Sequence, residues 1–428
     1  MSKFELTIGL VGAGMFGGEA HLRAYAGVQR AGISPQLSRI GLDGWAREFA
    51  PIQFQLVAIA TQTRRSAQRA CAKFRGWTAH LPRDYFGEKP WRKMLADFPN
   101  IDVVAVATPD HLHTPVILDA LKAGAHVITE KPMCLEMAEA DRLIELSRQK
   151  QRLVAVDMHK RFDPDHRHIR SEVLGQIGKP LYGNAYLEEP LELSARAFKW
   201  VEHSDPFSYV GSHWADLVQH HYGCKPVSLT AVGQKQRLAR QGIDAYDAVQ
   251  VRVDYDNGLS FTFHNNWITP PDFEGPVNQG HEIVGAHGKF ESDQQYRGLR
   301  WWAEGRGSRT ANTHFIRRVE RPDGSSGCVG YGIDSLTAGL AAICRMKFFG
   351  ASRESLEAIY PTAEQARVVV AIVQAARVVR DLNFKYLKQG KGAPVTARLG
   401  REGITLVDPT RAAARSSAVF RRIYSRPI

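Results

Sequence analysis

The feature that most constrains this chain is a glycine cluster that follows its first apolar run without a gap. Thr7-Ile8-Gly9-Leu10-Val11 is short and continuous, and Gly12-Ala13-Gly14-Met15-Phe16-Gly17 comes directly after it. Similar runs recur at Leu56 to Ala60, Val103 to Ala107, His126 to Thr129 and Val154 to Val156. Amphipathic helical patterns lie between them, notably Pro115 to Ala123 and Met137 to Lys150. Strands that are apolar on both faces and alternate with helices form a parallel sheet covered on both sides. The expectation is an α/β fold whose first 157 residues form a doubly wound, Rossmann-type domain.

In that setting the glycines have a defined task. They let the backbone turn tightly, approach a pyrophosphate and pack a helix on a strand, while the helix start offers N–H groups to the phosphates. Gly12, Gly14, Met15, Phe16 and Gly17 are therefore the expected NAD(P) loop. The acidic residue that would hold a ribose 2′-hydroxyl about 20 residues on has no counterpart. The second apolar run ends instead in Thr61-Gln62-Thr63-Arg64-Arg65. A hydroxyl and two guanidinium groups suit a 2′-phosphate, which a carboxylate repels. Thr61, Arg64 and Arg65 thus point to NADP, with NAD as the alternative. Asp43 has plausible spacing, but no strand-like run leads into it, and residues 27–51 read as an insertion.

Beyond Asp157 the texture changes. Asp247 to Asp254 alternates apolar and polar residues, Asp256-Asn257-Gly258 makes a turn, and Leu259 to Phe263 alternates again, as an antiparallel hairpin does. Helical patterns follow near Asp334 to Phe349 and Pro361 to Leu382. Residues 158–386 are expected to form an α+β domain with a large, mostly antiparallel sheet that binds substrate and pairs subunits. Residues 387–428 are set apart as a basic tail. It holds nine Lys and Arg against two acidic residues, which is most of the net charge of +12. We read it as a solvated or subunit-packing extension, because the body shows no aromatic-interleaved basic platform for nucleic acid. The longest apolar run, Val368 to Val373, is far below the roughly 20 residues of a membrane span. Five dispersed cysteines without a C-x-x-C pair suggest thiols in a cytoplasm.

Glu130-Lys131-Pro132, just past the fourth run, together with the glycine turn resembles the Gfo/Idh/MocA family of sugar and cyclitol oxidoreductases. Thr108-Pro109-Asp110-His111-Leu112-His113-Thr114-Pro115, Lys160-Arg161-Phe162-Asp163-Pro164 and Gly285-Ala286-His287-Gly288 support the resemblance. It implies a hydride transfer between a nicotinamide and a secondary alcohol or ketone of a carbohydrate-like substrate, in a homodimer or homotetramer. Lys131 would donate to the substrate oxygen and stabilise developing negative charge, with Glu130 and Pro132 setting its position. Thr108, Pro109, His111, His113, Glu130, Lys131 and Arg161 would line the cofactor. The family's Asp-x-Gly-x-His element matches Tyr209-Val210-Gly211-Ser212-His213, with tyrosine in place of aspartate.

A spacing of four puts Tyr209 and His213 on one helical face. His213 is the natural general base, and Tyr209 either orients substrate, exchanges the proton or merely packs. Trp200, Trp214, Asn265, Asn266 and Trp267 face a sugar or belong to the core. His111/His113, His166/His168 and His220-His221 lack a completing carboxylate or cysteine at ligand spacing, so no metal is expected. Two other readings stay open. One is an NAD-dependent glycosidase or lyase that oxidises its sugar transiently; the other is a nucleotide-sensing regulator without chemistry.

Overall fold

The computed structural model describes residues 4–305, 307–320, 324, 326–400, 403–412 and 420–422. They divide into two compact units, the first made of residues 1–134, 139–164 and 313–366.

The first unit is built on six parallel strands: β1 (Glu5–Val11), β2 (Gln53–Thr61), β3 (Arg83–Phe86), β4 (Val103–Val106), β5 (His126–Thr129) and β6 (Val154–Val156). Their order is β3-β2-β1-β4-β5-β6. In register, Ile8 pairs with Leu56 on one side and Val103 on the other. All three are buried because helices cover both faces. The edge strand β3 escapes sequence reading because only Tyr85 of its four residues is buried. The helical run after the glycines passes through a π turn, Gly17–His21, into the helix Leu22–Ala31.

Two features of this unit differ from the sequence reading. Residues 27–51 do not stand apart as an insertion: Leu37, Ile40 and Phe49 join the same core as Leu6 and Ile8. The helix Tyr331–Phe349, expected in the second domain, belongs here too. Ile333, Leu336, Leu340 and Ile343 pack into that core, and the helix is buried over fourteen successive residues. A helix apolar on every side must be enclosed, and each such side chain contributes about 1.5–3 kcal/mol by leaving water. The boundary at residue 157 therefore marks the end of the parallel sheet, not of the unit.

The second unit comprises residues 135–138, 165–312 and 367–428. Its nine-stranded sheet begins with β7 (Pro180–Pro190), β8 (Pro226–Gln234), β9 (Ala248–Tyr255), β10 (Ser260–Thr269), β11 (Asn278–Gly285) and β12 (Gly288–Asp293), in the order β12-β11-β7-β10-β9-β8. The β9–β10 hairpin forms where the alternation places it. β7 and β10 run parallel and the other pairs antiparallel. The basic tail is not a separate extension. Thr396–Gly400 pairs with β8, Gly403–Val407 pairs with it in turn, and Phe420–Arg422 follows. Ala397, Leu399, Ile404 and Leu406 are buried. Adding these strands covers an edge that would otherwise offer unpaired backbone groups. Among the described residues no helix is long and apolar enough to cross a membrane.

Candidate functional site

The nucleotide-side groups singled out in the sequence mostly gather at the carboxyl edge of the parallel sheet. Gly12 follows β1, Thr61 ends β2, Thr108 and Pro109 follow β4, and Glu130 and Lys131 follow β5. The winding reverses between β1 and β4, and open α/β sheets bind ligands outside the strand ends at such a point.

Each glycine answers to a different constraint. Gly12 takes φ +92°, and a Cβ there would lie 2.3 Å from the Ala107 carbonyl oxygen. A Cβ on Gly17 would lie 2.5 Å from the Gly12 carbonyl oxygen. Both are fixed by the contact of β1, β4 and the first helix. A Cβ on Gly14 meets nothing within 4 Å, so the loop is open on that side. Met15 beside it is 49% exposed. Thr108 Oγ1 is buried without a hydrogen-bond partner among the described residues. An open glycine cradle and an orphaned hydroxyl, on the two strands flanking the switch point, fit a bound dinucleotide.

At the end of β2, Thr61 is nearly buried and its hydroxyl pairs with Ser66 Oγ at 2.6 Å. Thr63 caps the helix Arg64–Thr78 by accepting from the Ser66 N–H. Arg64 and Arg65 are exposed in the first turn of that helix, which holds no acidic residue. The Arg64 guanidinium lies 4.8 Å from the centre of the Phe86 ring.

Lys131 and Glu130 are each 7% exposed, and the Lys131–Pro132 peptide is cis. His113 joins two of the loops at this edge. Its Nδ1 lies 2.8 Å from the Pro132 carbonyl oxygen and its Nε2 2.8 Å from that of Thr108. The ring is buried, and burial pushes its pKa down. It straps the loop after β4 to the loop after β5 as a buried brace. His111 is half-buried, its N–H donating to Asp110 Oδ1 at 2.8 Å. Arg161 donates from Nη1 to Gln365 Oε1 at 2.8 Å.

Sequence reasoning missed several neighbours. The Phe16 ring stacks on His159 at 5.2 Å, and His159 stacks on Tyr331 at 5.8 Å, with Phe315 against all three. No local spacing links residues so far apart. Lys160 is buried; burial pushes its pKa to about 8, with Asp163 opposing and Lys131 adding to the fall. Asp157, His159 and Lys160 are all interior. His21 carries no motif that marks it. It is buried between Tyr25 and Glu130.

The second unit holds its own candidate groups. A π turn, Phe207–Gly211, leads into the helix Ser212–Tyr222. Buried Asp205 sets the start of this segment, accepting from the Ser208 N–H at 3.0 Å and from the Ser208 hydroxyl. Arg380 Nη1 lies 2.6 Å from Asp205 Oδ2. Together these hold the Asp205 carboxyl below its usual range against the effect of burial. His213 is 5% exposed on the helix proper, whereas Tyr209 sits on the π turn. The Tyr209 ring packs edge-on to Phe198, Trp200 and Trp267 at 5.2, 5.3 and 6.2 Å. That favours the packing role among those open to it. Trp267, Trp214 and Asn265 are 0–2% exposed, and Asn265 donates to the Leu187 carbonyl oxygen. Asn266 Oδ1 accepts from the Ile268 N–H. The alternation of β10 turns Asn265 and Trp267 inward and leaves Asn266 on the half-buried face.

Comparison with known proteins agrees with this geometry. Residues 6–158 match the model of the Gfo/Idh/MocA oxidoreductase family's NAD-binding Rossmann fold, and residues 168–291 match that family's C-terminal domain. Trans-1,2-dihydrobenzene-1,2-diol dehydrogenase of Mus musculus is 27% identical over 49% of this chain and 60% of its own length. For 1,5-anhydro-D-fructose reductase of Ensifer adhaerens the identity is 24%, over 46% of this chain and 58% of the relative. The chain thus aligns with less than two thirds of these curated relatives. Scyllo-inositol dehydrogenase from Lactobacillus casei superposes with a TM-score of 0.63 at 16% identity, covering 89% of this chain and 98% of that one. At that identity the likeness is one of fold. With both of its family's domains matched in order, the chain belongs to the Gfo/Idh/MocA family of oxidoreductases.

Proposed function

We propose that this protein is an NADP-linked dehydrogenase or reductase that interconverts a secondary alcohol and a ketone on a ring polyol, either a sugar derivative or a cyclitol. The observation that carries the reading is the placement of Lys131. It is buried on the loop after β5, at the same sheet edge as the glycine turn, and His113 straps that loop to the one that bears Thr108. The relatives' names share one chemistry, a hydroxyl or carbonyl on a ring carbon with a hydroxylated neighbour.

Bound nicotinamide supplies the hydride acceptor or donor. The chain's own residues do the rest. Gly14 leaves room for the phosphates, and Thr108 Oγ1 has hydrogen-bonding capacity left for the coenzyme. Lys131 donates to the substrate oxygen and stabilises the charge that grows as the hydroxyl proton departs. His213 is the proposed proton acceptor, with Tyr209 holding its segment through aromatic packing. NADP is preferred because Arg64 and Arg65 stand in a helix's first turn, where the dipole disfavours cations unless an anion sits among them. We place the protein in a cytoplasm, where its five free cysteines stay reduced, as a homodimer or homotetramer.

The test is direct. Purified protein is incubated with NADP+ or NAD+ and a panel of cyclitols and sugars, and reduced coenzyme is followed by absorbance. Turnover of a polyol with NADP+ supports the reading. Coenzyme binding without turnover of any polyol or ketose in either direction overturns it.

A further inference from the structure

Behind Lys131 lies a group of buried polar side chains for which the reaction described above has no use. The Tyr25 hydroxyl and His21 Nδ1 are 3.0 Å apart, and His21 Nε2 is 2.7 Å from Glu130 Oε1. Asp157 joins them from the end of β6, with one ligand-type atom of His21, Glu130 and Asp157 each within 4.8 Å of the others. On its far side Asp157 Oδ1 accepts from the Ser335 hydroxyl and from Tyr360 OH at 3.4 Å. Every one of these residues is at most 7% exposed.

The hydrogens in this chain can be placed by elimination. A buried tyrosine hydroxyl keeps its proton and donates to His21 Nδ1. His21 is then neutral and donates from Nε2, so Glu130 Oε1 is an acceptor. Two carboxylates this close, enclosed and without a protonated imidazole between them, cannot both ionise. Asp157 already collects hydroxyl donors, which favour a charged acceptor. Its second oxygen, Oδ2, is buried and has no hydrogen bond within 3.5 Å from the described residues; His159 Nδ1 approaches it at 3.8 Å and helps hold the carboxyl in its charged form. A proton on the free oxygen of Glu130 supplies the missing donor.

We propose that Glu130 and Asp157 form a buried carboxyl pair sharing one proton, with Asp157 the ionised member and the positioning residue that sets the charge felt by Lys131. The motif glutamate is then a neutral hydrogen-bond donor and not the lysine's ion-pair partner. Burial and the neighbouring Asp157 raise the Glu130 pKa well above the carboxylate range, while the Asp157 pKa is held down despite burial. His21 is pushed to about 4, in keeping with a neutral ring. The titratable groups facing the pair are His21 and Tyr25 from the first helical run, Lys131 from the loop after β5, His159 and Lys160 from the turn after β6, and Tyr360. The same three ligand types could hold a metal, but a 2.7 Å separation of His21 and Glu130 is a direct donor–acceptor contact.

The pairing predicts an asymmetry between two conservative variants. Glu130→Gln replaces a neutral acid by a neutral amide and leaves the charge on Asp157. Asp157→Asn removes the like charge, so Glu130 ionises beside Lys131 and raises its proton affinity. In the pH dependence of kcat/KM for alcohol oxidation, Glu130→Gln should keep the lysine limb in place. Asp157→Asn should move it upward by about one pH unit. Equal shifts in both variants, or a shift in Glu130→Gln alone, overturn the proposal.

This kinetic arm rests on the dehydrogenase reading; an infrared arm does not. At neutral pH the full-length protein should show the carbonyl stretch of a protonated carboxylic acid, moved by deuteration and absent in Glu130→Gln. The parent spectrum suffices if a variant fails to fold. A parent without that band, or a stoichiometric metal ion that Asp157→Asn releases, refutes the shared proton whatever the enzyme's substrate is.

Discussion

The two units spell out their chemistry in different ways. In the nucleotide unit, short motifs end up where their spacing says, because each sits on a turn immediately beyond a buried strand, and the strand fixes the turn. Gly12, Thr61, Thr108 and Lys131 are separated by scores of residues but share one sheet edge. In the second unit, candidates chosen by residue type alone largely dissolved into the core. Trp214, Trp267 and Asn265 are buried, and Tyr209 belongs to an aromatic cluster. An antiparallel sheet assigns each residue to a face by register, and register depends on partners far away in the chain.

The largest expected effects test whether both units contribute to turnover. Lys131→Ala should lower kcat about 10²–10⁴-fold, the range for loss of a proton-handling group, with coenzyme affinity, read by fluorescence titration, little changed. His213→Ala should fall in the same range. If only the lysine variant loses activity, the second unit supplies binding and no chemistry, and the contrast between the units sharpens.

Acid should separate them next. The nucleotide unit encloses neutral imidazoles: His21 is pushed to about 4 and His126 to about 3, both chiefly by burial. The Leu153 N–H donates to His126 Nδ1, which cannot also carry a proton. A folded-state pKa below the unfolded 6.5 means that the unfolded chain binds more protons as pH falls. Stability is then complete above about pH 6.5 and drains away down to the folded value, on the order of 3 kcal/mol per ring by about pH 4. In the second unit burial also lowers the pKa of half-buried His264, but the fully buried group is Asp205, depressed below an ordinary carboxylate. Its contribution is lost only as pH falls beneath about 4. Hydrogen exchange during an acid titration should show the first unit opening before the second. Simultaneous opening would mean that the units unfold as one.

The legible and illegible parts of this fold have physical explanations. The parallel strands and the β9–β10 hairpin were readable because their apolar patterns are local. β3 was not, since an edge strand with one buried residue carries almost no pattern. The tail strands carry a weak signal of their own: Thr396–Gly400 alternates buried and exposed residues as a half-covered strand does, within a segment dominated by charge. The helix Tyr331–Phe349 was visible as a helix, yet only tertiary contact could assign it to the first unit. At the site, Gly12, Thr108 and Lys131 were legible from motifs. His113 as a brace, the Phe16–His159–Tyr331 stack and the Glu130–Asp157 pair were not, because each joins segments that no spacing rule connects.

Coenzyme choice tests the nucleotide unit alone. Arg64→Ser and Arg65→Ser should each weaken NADP binding by about 1.5–3 kcal/mol, the worth of a hydrogen bond to a charged group, and barely alter NAD. Calorimetric titration of both coenzymes measures this. Equal losses for the two would show that these arginines serve the helix and not the 2′-phosphate.

The smallest effect is expected at Tyr209, where the two units' logics meet in one motif. It stands where the family pattern has an aspartate, so motif reasoning gives it chemistry, while its ring contacts with Phe198, Trp200 and Trp267 give it packing. Tyr209→Phe separates the two, since it deletes the hydroxyl and keeps the ring. If packing is its task, kcat should change by no more than about the tenfold that one ordinary hydrogen bond is worth. The pH profile should stay fixed and thermal stability should be nearly unchanged. A loss matching that of His213→Ala, with a displaced pH limb, would return Tyr209 to the proton path and make the aromatic cluster its scaffold.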